Sequence, residues 1–349
     1  MLKTPDTTLL REAGEGRAAL NVIGGKLVGA RSGARIEVAC PSDGVVFASV
    51  PRSDAGDVDA AVAAARRAFE GGPWSRMTAT ERGRVLARLG ELVAAHRDEL
   101  AALESRDTGK PARQGVADVA AAIRYCEYYG GAADKVHGDQ IPFLGGYTAF
   151  TSREPHGVVA GIIPWNYPLQ ILARVAGAAL AMGNTLVVKP AEDASLTTLR
   201  IADLALEAGC PPGVFNVVTG YGAEAGAALS AHPGVDYVTF TGSPATGTAI
   251  QAAAAQNNRG VTMELGGKSP QIVFADADLD AALPVVVNAI IQNGGQTCSA
   301  GSRVLIEKPV YDDFAAALAK RFAALVAEPH WADGDLGPLI NAKQAERVA

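Results

Sequence analysis

Cysteine is scarce and scattered. The 349-residue chain holds four, Cys40, Cys126, Cys210 and Cys298. They form no C-x-x-C pair, so free thiols in a reducing compartment are expected. Histidine is equally sparse, with five residues and no H-x-x-x-H pair, which argues against a zinc site; no metal ligand is assigned. Basic charge is not in excess. Lys and Arg total 31 against 37 Asp and Glu, for a net charge of −6, so the footprint of a nucleic-acid or anionic-membrane partner is missing. Residues 1–16 are polar and lack the apolar core of a secretory leader, so a cytoplasmic protein is expected. The stretch 157–188 is apolar, but Pro164, Asn166, Pro168, Arg174 and Asn184 interrupt it. No membrane span is expected.

What is present is apolar surface and glycine. Hydrophobic residues make up 48% and charged residues 19%, enough for large cores in a chain of two or three domains. Glycine accounts for 39 residues without a G-X-Y period, which implies tight turns and close backbone approaches. A helix is expected over 57–71. A second opens at Thr78 with Glu81 as a capping box and runs to the stop at Gly109-Lys110-Pro111; a third covers 114–129. Around Gly145-Gly146 two short runs, one of them β-prone at 147–151, read as a hairpin.

After Pro155 apolar runs at 158–163, 186–188, 215–218, 237–240 and 261–265 alternate with helical stretches near 168–181, 195–208, 223–231 and 244–255. This is the signature of a doubly wound parallel α/β sheet, whose ligands sit beyond the carboxyl ends of the strands. A second alternation follows: strand 271–274, helix 278–293, strand 303–306, helix 310–326. The loops at the strand ends are therefore where chemistry is sought. The first, Ile163-Pro164-Trp165-Asn166-Tyr167-Pro168, lacks the dinucleotide fingerprint. Gly220-Tyr221-Gly222-Ala223-Glu224-Ala225 is a loose match to it. Gly267-Lys268-Ser269 is not a phosphate-binding P-loop, because Thr262 stands where its upstream glycine is required.

In Thr241-Gly242-Ser243-Pro244, Ser243 suits a helix cap, Pro244 its first position and Gly242 a close pyrophosphate; an ordinary capped helix fits as well. Lys189 and Glu192 are either solvated loop charges or ribose ligands. In the latter case the Glu192 carboxylate disfavours the 2′-phosphate of NADP relative to NAD. Cys298 lies in a polar glycine-rich turn and is the nucleophile candidate, whereas the other three cysteines read as buried. Glu264 ends an apolar strand; burial there would raise its pKa toward that of a general base. Tyr167, Gln170 and Arg174 share one helix face by spacing. Arg174 reads as a contact for a carboxylate or polar tail, an internal ion pair or a solvated edge.

In series, the segments IIPWNYP, VVKPAE, FTGSPATG, MELGGKSP and NGGQTCSAGSR resemble the aldehyde dehydrogenase superfamily, and the likeness runs from about residue 21 to the end of the sequence. The resemblance implies that Cys298 is the nucleophile, Glu264 the general base, and Asn166 the oxyanion donor together with the Cys298 amide. It places Lys189 and Glu192 at the adenosine ribose and Gly242 and Ser243 at the pyrophosphate of NAD. It puts Ile163, Pro164, Trp165, Gly222, Thr241, Leu265 and Gly266 on the cofactor side, and Tyr167, Gln170, Arg174, Thr297 and Ser299 on the substrate side. Val175 stands where many relatives carry lysine.

The implied architecture is a dinucleotide-binding domain (1–136 and 156–266), an oligomerisation hairpin (137–155) serving a homodimer or homotetramer, and the first part of an α/β catalytic domain (267–349). The implied reaction is NAD-dependent oxidation of an aldehyde, a small-molecule substrate of open identity, to the carboxylic acid through a cysteine thiohemiacetal and thioester. The alternatives are a CoA-acylating enzyme, which a carboxylate at Glu264 argues against, and a catalytically incompetent relative. Relatives continue beyond residue 349 with an E-x-F-G-P segment. The expectation is therefore an incomplete catalytic domain with an open sheet edge, poorly soluble or inactive by itself.

Overall fold

The computed structural model describes residues 3–349. In the main sheet two strands unannounced by the sequence pattern come first, β1 (Asn21–Ile23) and β2 (Lys26–Val28). The expected alternation supplies β3 (Val158–Ile162), β4 (Thr185–Lys189), β5 (Phe215–Val217), β6 (Tyr237–Gly242) and β7 (Gly260–Leu265). All seven form one sheet in the order β7-β6-β3-β4-β5-β1-β2. The strands β3 to β7 pair in parallel, and β1 and β2 extend the edge antiparallel through Val22 opposite Val217. A separate three-stranded sheet joins Arg17–Ala18, Val46–Pro51 and Arg35–Ala39. This is a doubly wound α/β fold. The parallel part begins at β3, winds outward through β4 and β5, then returns to place β6 on the other side of β3. The β3/β6 seam is thus the switch point where such sheets hold ligands.

Strand periodicity explains the two cores. Val158, Ala160 and Ile162 face one layer while Val159 faces the other, and Leu186 and Val188 oppose Val187 in the same way. One face is covered by α2 (Ala79–Ala95), α3 (Arg97–Thr108), α4 (Ala112–Ala132), α5 (Pro168–Ala181) and α6 (Leu196–Glu207). The other is covered by α1 (Ala55–Gly71) and α7 (Pro244–Gln256). The capping box forms as expected: Glu81 N–H donates to Thr78 Oγ1 at 3.3 Å, and Thr78 N–H to Glu81 Oε2 at 2.7 Å.

Two helix readings need correction. The long helix from Thr78 is two, because His96 leaves helical geometry at φ −101° and ψ 22° while its ring meets the Leu92 carbonyl. The helix expected at 223–231 opens instead as a wide π-type turn over Gly222–Gly226, with regular helix only at Ala227–Ser230.

Gly109 ends α3 at φ +78°, and a Cβ there would press on Pro41 and Pro338, so glycine is required twice over. The hairpin pairs Gln140–Ile141 with Ala149–Phe150 and leaves Ile141, Phe143, Leu144, Tyr147 and Phe150 exposed. The last region holds β8 (Pro270–Val273), α8 (Leu279–Ile291), β9 (Arg303–Ile306) and α9 (Tyr311–Ala323), with β8 and β9 parallel. Among the described residues no helix is long and apolar enough to cross a membrane.

Candidate active site

Sheet register brings the strand ends level. Ile162 pairs with Lys189 and with Phe240, Thr241 with Glu264, and Gly242 with Leu265. Loops that lie up to a hundred residues apart in sequence therefore open on one crevice.

Cys298 is exposed, while Cys40, Cys126 and Cys210 are buried as expected. The turn before it is built from three consecutive left-handed residues, Asn293, Gly294 and Gly295, at φ +49°, +63° and +79°. Two glycines make this reversal inexpensive, and Asn is among the few side chains that tolerate it. Asn166 is bonded to this turn from both ends. Its Nδ2 donates to the Gln296 carbonyl at 2.9 Å, and its own carbonyl accepts from Asn293 Nδ2 at 2.9 Å. Tyr167 OH and Thr297 Oγ1 meet at 2.9 Å, and burial pushes the Tyr167 phenol above its ordinary range. Among the described residues the Cys298 amide has no protein acceptor.

Glu264 corrects an expectation. Its strand is the sheet edge, and Glu264 is exposed, not sequestered. The burial expected of it is therefore not found, and what remains is its position. It lines the same cavity as Cys298, about 210 Å³ in volume, together with Thr241, Tyr167, Gln170, Arg174, Thr297 and Ser299. Tyr167, Gln170 and Arg174 thus lie on one wall, as their spacing predicts. Arg174 is half-buried and makes no ion pair among the described residues. It and Glu264 also border a second cavity of about 640 Å³ with Val175, Tyr129 and Met182.

At the end of β4, Lys189 Nζ donates to Glu192 Oε2 at 2.9 Å. Burial depresses the Lys189 ammonium. The same burial works to raise the Glu192 carboxyl, but Lys189 beside it holds it below the usual carboxylate range. Ser243 caps α7, accepting the Thr246 N–H at 3.2 Å, at an exposed helix start. A Cβ at Gly222 would meet nothing within 4 Å, and one at Gly266 only Pro244 at 3.9 Å. The residues present thus fit a dinucleotide: a charged pair for ribose hydroxyls, and an open, glycine-floored helix terminus for phosphate. Ile163 follows β3 directly, buried, with its N–H on the Lys189 carbonyl at 3.1 Å, and Pro164 and Trp165 continue the loop half-buried.

The aldehyde dehydrogenase family model matches residues 28–349. The chain belongs to the aldehyde dehydrogenase family. It is 47% identical over 330 residues to aldehyde dehydrogenase family 2 member B4 of Arabidopsis thaliana, covering 94% of this chain and 61% of that protein. It is 48% identical to the hydroxyisobutyraldehyde dehydrogenase of Mycolicibacterium austroafricanum, covering 94% and 65%. Among solved structures it is similar to the NAD+ complex of the Bacillus cereus aldehyde dehydrogenase. There the TM-score is 0.94 at 42% identity, covering 100% of this chain and 70% of that one. The chain thus spans a little under two thirds of the length of these curated relatives.

Within this aldehyde dehydrogenase fold, sequence reasoning missed the residues that brace the site. Gln114 Oε1 accepts the Asn293 N–H at 2.9 Å, and Gln296 Oε1 accepts the Ile340 N–H at 3.0 Å. Gln292, Ile171 and Tyr125 complete the cavity wall. Gln296 had a signal, since it sits inside the cysteine turn. Gln114 and Tyr125 had none, because they are ordinary positions on a helix.

Proposed function

We propose that this chain carries the chemistry of NAD-dependent oxidation of an aldehyde to its carboxylic acid. The observation that carries the reading is the exposed Cys298 thiol in one cavity with Glu264, on a turn bonded to Asn166. The Cys298 sulfur, as thiolate, attacks the aldehyde carbon and forms a C–S bond, and the carbonyl electron pair moves to oxygen. An amide has two N–H donors, and Asn166 spends one on Gln296; the second and the Cys298 amide serve the oxyanion. NAD, when bound, supplies the acceptor for the hydride that leaves carbon as the adduct collapses to a thioester on Cys298. Glu264 then takes a proton from water, whose oxygen attacks the thioester carbon, and the C–S bond breaks to release the acid and the thiolate.

The residues on the NAD side are Lys189 and Glu192 at the adenosine ribose, where the carboxylate disfavours a 2′-phosphate. Thr241, Gly242 and Ser243 serve the pyrophosphate, with Ile163, Pro164, Trp165, Gly222, Leu265 and Gly266 as the surrounding walls. Tyr167, Gln170, Arg174, Thr297 and Ser299 face the aldehyde. The domain division at 137–155 and 267, a homo-oligomer formed through the hairpin, and a cytoplasmic setting belong to the same reading.

The test is NADH formation from a panel of aldehydes. Cys298→Ala removes the nucleophile and is expected to abolish turnover; unchanged turnover would sink the scheme. Glu264→Gln is expected to keep the first burst of NADH and slow the steady state, whereas loss of the burst assigns Glu264 an earlier step. A second reading, NAD binding without turnover, is favoured by the exposure of Glu264. Saturable NAD binding with no NADH from any aldehyde supports it.

A further inference from the structure

The site rests on a buried charge cluster that the reaction scheme does not use. Lys110, Glu104 and Asp118 have side-chain exposures of 0%, 0% and 2%. An ammonium has three donors, and Lys110 uses all of them: on the Asn166 carbonyl at 3.0 Å, on Glu104 Oε1 at 3.3 Å, and on Asp118 Oδ2. It also lies 4.6 Å from the centre of the Tyr167 ring. Burying such a cluster is poor value for stability alone, since apolar residues of similar volume usually do as well.

The outward contacts converge on one short segment. Glu104 Oε1 accepts the Leu169 N–H at 3.4 Å, Asp118 Oδ1 accepts Gln170 Nε2 at 2.5 Å, and Lys110 holds Asn166 and Tyr167. The segment 166–170 is the start of α5, whose N-cap residue Tyr167 makes no side-chain capping bond. Glu104 thus meets from outside an N–H of this helix start that the N-cap side chain does not meet, while Asn166 Oδ1 accepts the Tyr167 N–H at 3.1 Å. The oxygen that Lys110 holds is also the one that Asn293 of the cysteine turn holds.

We propose that Lys110 is a positioning residue for the oxyanion donor. Its ammonium, fixed by Glu104 and Asp118, clamps the Asn166 carbonyl and thereby sets the Asn166 carboxamide against the Cys298 turn. The inference rests on the proposed aldehyde oxidation for its kinetic consequence, though not for its structural one.

The test uses the 349-residue chain with Lys110→Met, Lys110→Arg and Asp118→Asn. Rates are expressed per iodoacetamide-titratable thiol, since Cys298 alone is exposed. Lys110→Met is expected to lower kcat about 100-fold, the effect of misplacing a reacting group by an ångström, with KM changed by less than about threefold. Lys110→Arg is expected not to rescue it, because a planar fork does not reproduce three divergent donors. Amide exchange should quicken at 166–170 and 293–299 and stay unchanged in β4. Where Lys110→Met does not fold, Asp118→Asn, which keeps the ammonium, decides with a smaller loss of the same kind. Unchanged kcat per thiol would overturn the proposal, as would exchange that quickens equally throughout. If the parent chain forms no NADH, the oxidation reading fails separately, and unaltered exchange in the two loops then overturns the clamp.

Discussion

Between Val158 and Leu265 the strands are sandwiched, whereas between Pro270 and Ile306 they are not. Every residue of β3 and β4 is buried, with helices on both faces. Among the described residues the strand β8 pairs only with β9, and the buried members of its core are Val273, Val286 and Phe314. Ile272, Phe274 and Leu305 there are 59%, 61% and 53% exposed. Both regions follow the same alternation of strand and helix. The difference teaches that alternation specifies elements but not the surface that covers them. It also locates the site. Asn166 and the loops after β4, β6 and β7 belong to the sandwiched region, and Cys298 to the thinly covered one. Asn166–Gln296, Asn166–Asn293 and Tyr167–Thr297 are the bonds that join them.

The most direct way to break this comparison is paired truncation. Leu172 is fully buried in the first region, so Leu172→Ala is expected to cost about 2–5 kcal/mol in urea unfolding. Ile272→Ala, at a comparably apolar but exposed position, should change stability by no more than about 0.5 kcal/mol. Equal losses would mean that the second region is packed as firmly as the first.

Legibility in the sequence follows the same line. The strands β3 to β7 announce themselves because apolar runs and turn residues are local signals, and the capping box at Thr78 is local as well. The strands β1 and β2 do not, since three residues carry no period and the partner of Val22 is Val217. The glycine-rich turn at Cys298 was readable as a reversal exposing a polar-flanked thiol. The exposure of Glu264 was not, because being an edge strand is a property of sheet order. Lys110 read only as part of a helix stop; its meaning lies in Asn166, 56 residues away.

A smaller effect sharpens the comparison where the two regions meet. Arg174 rises from the firm side into the cavity that Cys298 lines, and has no carboxylate partner among the described residues. Of its three readings the internal ion pair is thereby removed. A charge-assisted hydrogen bond to a substrate carboxylate is worth about 1.5–3 kcal/mol, so Arg174→Leu should raise KM for carboxylate-bearing aldehydes about tenfold or more. Neutral aldehydes of the same length should change little. An equal rise for both would return Arg174 to a structural role.

The subtlest distinction is electrostatic. The sandwiched region takes ionisable groups out of water, and burial raises the Glu104 carboxyl to about 7 although Lys110 pulls the other way. Unfolded, Glu104 titrates near its ordinary 4.5, so between about 4.5 and 7 the folded state holds a proton that the unfolded state has lost. Stability from this group must therefore fall as pH rises through that window. Asp107, which burial raises to about 8, adds a slope of the same sign over a wider range. Glu104→Gln cannot titrate. Its stability, followed by thermal unfolding from pH 4.5 to 7, should decline less steeply than that of the parent while keeping the share due to Asp107. An unchanged slope would show that Glu104 stays ionised beside Lys110 throughout, and that the cluster under Asn166 carries a permanent negative charge.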